Sequence, residues 1–286
     1  MTGNMPPPVH KFGYEAMATT FEVFLASEDG DYAASIARES FELLGRLEDK
    51  LSRFRPHSDI SIINHLEAGE SVRVTIEAFD CLKLAFGVSS ETNGAFDISL
   101  AKVMDSIRNE KGEIAHIDEE KLGEAFEAKA KGLYLLSEED MTVYCQSPGA
   151  GLDLGGIGKG FALDQLAAYL EEWELPQALL HGGGSTVLAL DPPEGDPGWK
   201  VGFGEESGRE PVWLKRAALS GSGKAVKGAH VIDPRIGQPA EGHTRTWAKA
   251  PSAAVSDALS TAFMVMSREE VDAYCDAREG VEAYFL

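Results

Sequence analysis

Cysteine is scarce in this sequence. Cys81, Cys145 and Cys275 are the only three in 286 residues, and no two form a C-x-x-C pair. That leaves neither a disulfide framework nor the ligand spacing of a zinc site. Basic residues are also few: 26 Lys and Arg stand against 47 Asp and Glu, a net charge of −21. Such a surface is unsuited to a nucleic-acid backbone, which needs a basic stripe, and to an anionic membrane face. Long apolar runs are missing, and no stretch nears the roughly 18 residues of a membrane span. Hydrophobic residues still make up 43% of the chain, enough for a packed core. The N-terminus shows no basic segment followed by an apolar run, so the expected compartment is the cytoplasm. An exported protein stripped of its signal would read the same. No Gly-x-Ser-x-Gly elbow and no His-Glu-x-x-His occurs, which leaves serine-hydrolase and zincin readings without their signatures.

What is present is a chain of short strands and amphipathic helices. Phe21-Glu22-Val23-Phe24-Leu25 alternates and predicts a strand. Ile36, Leu44, Leu47, Leu51 and Phe54 recur at helical steps, and Pro56 is expected to stop that helix. Ile76, Phe79, Leu82 and Phe86 mark a second helix. Residues 110–140 hold ten acids and four lysines and predict a solvated, partly helical insertion. Residues 133–136 and 141–146 read as a hairpin. A strand over 151–154 is expected to run into a glycine turn and a helix carrying Phe161, Leu166 and Leu170. Two strands broken by Gly182-Gly183-Gly184 follow, then four or five short strands, then a helical pair from about Asp257. Strands and helices do not alternate regularly, so the expected class is α+β with a mixed, largely antiparallel sheet, in a single unit spanning residues 1–286.

Three segments carry chemistry. Asp153-Leu154-Gly155-Gly156-Ile157-Gly158-Lys159-Gly160 opens a helix. Glycines let a ligand approach the backbone, and a helix N-terminus offers free N–H groups. The segment either holds an anion such as a phosphate, aided by Lys159, or is a tight turn with no ligand. It fits neither the dinucleotide G-x-G-x-x-G nor the P-loop pattern. Asp257 and Thr261 stand four apart, on one helical face. A carboxylate and a hydroxyl there suit a hard cation such as Mg2+, or the Asp merely stabilises a helix start. His230-Val231-Ile232-Asp233-Pro234 sets an imidazole at a strand start, either as a general base or as a packed polar residue.

Taken in order, these segments resemble the ApbE family of flavin transferases. The likeness starts at Met17-Ala18-Thr19-Thr20 and runs through Leu51-Ser52-Arg53-Phe54-Arg55-Pro56 and Asn64. It continues through Asn93-Gly94-Ala95-Phe96-Asp97, the glycine turn with Asp164, Gly182-Gly183-Gly184, the His230 segment and the Asp257 helix. The resemblance implies an enzyme that binds FAD and Mg2+ and moves FMN onto a threonine of an acceptor protein, releasing AMP. It implies metal ligands at Asp257, Thr261 and the carbonyl of Gly156. Flavin and adenylate contacts would fall on Met17, Phe54, Ala95, Phe96, Asp97, Asp153, Lys159 and Ile232. His230 and Asp257 would be catalytic. Ala18 departs from a usual glycine, and Phe54 from an aromatic with a polar tip. Two other readings remain open: an FAD pyrophosphatase passing FMN to water, and a non-catalytic FAD-binding protein. Residues 211–235 contain five basic residues against Asp233 alone, a net +4, and predict a positively biased flavin pocket on an acidic surface.

Overall fold

A computed structural model describes residues 7–107, 119–204, 207–223, 232–238, 240 and 243–286. In chain order these form β1 (Val9–Ala16), β2 (Thr19–Ala26), α1 (Gly30–Leu51), α2 (Asp59–Asn64), β3 (Ser71–Arg73), α3 (Ile76–Glu91), α4 (Ala101–Ile107) and α5 (Glu119–Lys131). Then come β4 (Leu133–Ser137), β5 (Thr142–Ser147), α6 (Gly158–Glu172), β6 (Ala178–Gly182), β7 (Thr186–Ala189), β8 (Trp199–Val201) and β9 (Val212–Leu214). The chain closes with β10 (Ala217–Gly223), β11 (Arg245–Ala250), α7 (Ala253–Ala262), α8 (Arg268–Asp276) and β12 (Glu282–Phe285).

Seven strands make the main sheet, in the order β1-β2-β6-β7-β10-β11-β12, and every described ladder is antiparallel. Its two faces follow from period-two alternation. Phe21, Val23 and Leu25 of β2, Leu180 of β6, Leu188 of β7 and Ala248 of β11 face a core shared with the helices. Their alternates Leu179, Val187, Ala189, Leu219 and Trp247 face a second core, closed by the β8–β9 ribbon through Val201 and Leu214. Burial on both faces explains the short apolar runs Ala178-Leu179-Leu180 of β6 and Val187-Leu188-Ala189 of β7. A second sheet, β3-β5-β4, carries the expected hairpin.

Several expectations need correction. α1 ends at Leu51, three residues before Phe54. The Ser58 hydroxyl donates to the Ser52 carbonyl at 2.6 Å and caps α2, so the chain turns away before Pro56. Residues 151–154 form no strand: the Asp153 N–H donates to the Ile98 carbonyl, the Gly151 carbonyl accepts from Ala101, and Leu152 between them is paired to a side chain. Asn64 accepts from the Leu152 N–H (2.6 Å) and donates to its carbonyl (2.9 Å). β1 and β12, the two sheet edges, were not foreseen. The acidic stretch contains α5, and residues 108–118 lie outside the described ones. Among the described residues no helix is long and apolar enough to cross a membrane.

Candidate active site

The polar alternates of the sheet lie directly beneath α7. Thr186 shares a face with Leu188, Ser220 and Ser222 with Ala218, and Thr246 with Ala248. Alternation alone therefore aims these hydroxyls at the helix side. There they meet the hydroxyls of an otherwise apolar helix. Ser256 Oγ donates to the Ala248 carbonyl (2.7 Å) and sits 2.9 Å from Ser220 Oγ. Thr246 Oγ1 donates to the Ser260 carbonyl at 2.6 Å. Ser222 Oγ sits 2.9 Å from Ser260 Oγ and 3.3 Å from Thr261 Oγ1. Ser220, Ser256 and Ser260 are fully buried, and each of these hydroxyls is partnered, as buried polar groups must be.

Asp257 is the charge in this seam, with its side chain 5% exposed. Its Oδ1 accepts from Thr186 Oγ1 at 3.1 Å. Its Oδ2 accepts from the Gly160 N–H and from Lys159 Nζ, each at 3.3 Å. Thus Lys159, expected to hold a phosphate, is ion-paired to the carboxylate expected to hold a metal. The glycine turn reaches this point through close contact of helices. A Cβ on Gly160 would fall 2.1 Å from the Ala253 carbonyl oxygen, so α6 crosses α7 backbone to backbone. Asp164 fixes the crossing: it accepts from the Ala253 and Ala254 N–H groups (2.8 and 2.9 Å) and from Ser252 Oγ (2.7 Å). These acceptances satisfy orphan donors at the start of α7.

Whether these residues suit a cation is answered by their donors. Asp257, Thr261 and Ser222 offer only oxygen, the preference of a hard ion. Among the described residues no group of three or more His, Cys, Asp or Glu is placed to hold a metal ion, so Asp257 is the only charged ligand in this set. A Cβ on Gly156 would lie 3.6 Å from Thr261 Oγ1 and 3.1 Å from the Phe96 ring. The bare glycine leaves that space clear beside Thr261. A carboxylate has about four lone-pair sites, and the three donors on Asp257 are long. The oxygen-only donors suit a hard cation such as Mg2+.

The remaining expected residues form a rim. Asp153 accepts from Arg53 Nε (2.9 Å) and from the Gly155 N–H (2.7 Å). Arg53 also grips Asp105 and stacks on the exposed Phe54 ring, 4.3 Å from its centroid. Burial works against the Arg53 charge, yet Asp105 and Asp153 together hold its pKa above the ordinary value. Ala95 and Phe96 are buried against the core. Asp97 accepts from the Ser99 N–H at 2.7 Å and pairs with Lys129. Ile232 is buried, followed by Asp233, whose carboxylate is clasped by Arg235. Met17 and Ala18 form the two-residue β1–β2 turn with φ of 50° and 57°, and the Met17 N–H donates to Glu48 at 3.0 Å. His230 lies outside the described residues.

Sequence reasoning missed Thr186 and Lys129, while Ser222 belongs to Ser220-Gly221-Ser222, a segment that only approximates the Thr-Ser-Gly usual in the family. In the basic island two of the five cations are ion-paired. Arg216 is held by Asp191 and Glu171, and Arg235 by Asp233 and Glu270. Lys224 and Lys227 fall outside the described residues.

With this geometry in place, comparison with known proteins is informative. The chain is similar to an FAD:protein FMN transferase of Klebsiella pneumoniae (strain 342), 23% identical over 96% of this chain and 89% of that protein. It is 28% identical to an FAD:protein FMN transferase of Treponema pallidum (strain Nichols), over 87% and 76% of the two chains. Its fold matches the crystal structure of the flavinyl transferase ApbE of Pseudomonas stutzeri in its apo form, with TM-score 0.84, 24% identity and coverage of 99% and 94%. It also matches the ApbE protein of Thermotoga maritima, with TM-score 0.83, 26% identity and coverage of 97% and 94%. The ApbE family model matches residues 17–285, and the chain therefore belongs to the ApbE family.

Proposed function

We propose that this chain is an FAD:protein FMN transferase that uses Mg2+, with a threonine hydroxyl as acceptor and AMP as leaving group. One observation carries the reading: Asp257, Thr261 and the open backbone at Gly156 converge on an oxygen-lined place at the end of α6. Asp257, Thr261 and the Gly156 carbonyl would hold the ion, which when bound supplies charge neutralisation at the FAD diphosphate.

The chain's own groups supply the rest. The amide end of α6 and Lys159 bind phosphate oxygens, the first by its dipole and the second by its charge. Phe54, exposed and stiffened by Arg53, offers a stacking face to a flat ring. Asp97, Asp153 and Ile232 border the flavin and adenylate. The acceptor oxygen attacks the FMN phosphorus, and a P–O bond forms. The bond from that phosphorus to the bridging oxygen breaks, and its electron pair leaves with AMP. The hydroxyl proton passes to His230 or a neighbouring carboxylate.

The test is incubation with FAD, Mg2+ and a candidate acceptor protein, followed by intact-mass measurement. A gain of one FMN on the acceptor supports transfer. Free FMN and AMP without that gain mean hydrolysis instead, and FAD recovered intact means binding only. Asp257→Ala should abolish the reaction. Full activity in that variant, or in EDTA, overturns the metal assignment.

A further inference from the structure

The acidic stretch supplies one inward-pointing cation. Lys129, in the last turn of α5, places Nζ 2.9 Å from Asp97 Oδ2 and 2.9 Å from the Pro234 carbonyl oxygen. The two side chains are only 18% and 17% exposed. On the same helix Phe126 lies against Gly237, where a Cβ would come within 3.1 Å of the ring. Gly237 has φ of 74°, so a side chain there is doubly disfavoured. The turns at 93–97 and 233–237 also touch, a Cβ on Gly94 lying 3.8 Å from Arg235 Cγ. Arg235 is itself pinned by Asp233, by Glu270 and by the Val265 carbonyl.

We infer that Lys129 is a positioning residue for FAD, holding the Asp97 carboxylate and the turn that follows Ile232 in one frame. The inference rests on the flavin reading of Asp97 and Ile232. Its physical basis is local. Without the ammonium, Asp97 is a shielded carboxylate with no counter-charge from α5, and the Pro234 carbonyl loses that donor. Both turns are then free to shift. The seam around Asp257 shares no described bond with Lys129, so the chemical step is spared while substrate binding is weakened.

Full-length Lys129→Met and Lys129→Arg decide the matter. FAD affinity is read from flavin fluorescence, turnover at saturating FAD from FMN transfer, and folding from thermal melts. Lys129→Met should weaken FAD binding about tenfold and change kcat less than about twofold, the size of effect typical of removing a charged hydrogen-bond partner. Lys129→Arg should recover most of the affinity. Asp97→Asn should cost less in the Lys129→Met background than in the wild type. Unchanged FAD binding in Lys129→Met overturns the inference alone. So does a parallel loss of affinity, kcat and melting temperature that Lys129→Arg does not restore. A wild-type protein that binds no FAD overturns the flavin reading, and the inference with it.

Discussion

Asp257 and Asp153 stand at the two ends of the same glycine turn and helix start, and they are held by opposite means. Asp257 is fixed by a backbone amide, a buried hydroxyl and one ammonium, beneath a helix crossing that leaves no space for a methyl group. Asp153 is held chiefly by the Arg53 guanidinium, which also grips Asp105 near solvent. Asp257 is 5% exposed and Asp153 is 16%. The first arrangement is set by main-chain position, which cannot relax without moving α6 against α7. The second rests on the Arg53 guanidinium and on the Gly155 amide of its own turn, and only its Asp105 end lies in a medium where salt screens charge. Substitutions in the seam should therefore abolish, and those on the rim should tune.

Gly160→Ala tests that contrast most severely. Its methyl group would overlap the Ala253 carbonyl, so we expect a loss of about 3 kcal/mol or more, or no folded protein, by thermal or urea unfolding. Near-normal stability would mean that α6 and α7 part at Gly160 at little cost.

Asp164→Ala removes the acceptor of two amides at the start of α7, and should cost about 2 kcal/mol. This group also gives a pH signature. Burial pushes its carboxyl above the ordinary value of 3.8, against the pull of the Ala254 and Ala253 amides and the Ser252 hydroxyl. A carboxyl with a raised folded pKa binds its proton more tightly when folded. Its contribution to stability is thus greatest below the unfolded pKa and falls as pH rises through the folded one. The stability of wild type minus that of Asp164→Asn should decrease as pH climbs from about 4. A flat difference sinks this reading.

On the rim, Arg53→Ala should cost about 1–2 kcal/mol of stability, since its pair with Asp153 is largely buried while its pair with Asp105 is open to solvent. It should raise the KM for FAD several-fold, because Asp153 and Phe54 lose their common support. A collapse as complete as that of Asp257→Ala would erase the distinction between seam and rim.

The smallest effect has the opposite sign. Ala18 holds φ of 57° in a two-residue hairpin turn, a conformation that glycine adopts without strain. Ala18→Gly should stabilise the fold by about 0.5–1 kcal/mol in denaturant unfolding.

Much of this arrangement was legible in the chain. Apolar spacing gave α1, α3 and α6, and the four-residue step placed Asp257 and Thr261 on one face of α7. The glycine turn announced close backbone approach, although not that its neighbour would be another helix. Other features were hidden for identifiable reasons. Residues 151–154 are held by the Asn64 side chain at Leu152 and by single main-chain bonds to Ile98 and Ala101, a pattern that no periodicity encodes. β1 and β12 are edges with one partner each and correspondingly mixed burial. Arg216 and Arg235 looked like free charge because their acidic partners Glu171, Asp191 and Glu270 lie elsewhere in the sequence.

The sequence by itself determined which chemical groups were available: oxygen ligands without a cysteine or histidine cluster, a glycine-opened helix, and an acid excess that excludes a nucleic-acid surface. It also determined local form, because period and turn chemistry act between near neighbours. The tertiary structure alone decided how charges are paired and which hydroxyls meet. Lys159 reaches Asp257, Thr186 orients it, and Lys129 joins two turns through contacts between residues far apart in the chain. Coulomb and hydrogen-bond energies depend on distance in space, which sequence separation does not report.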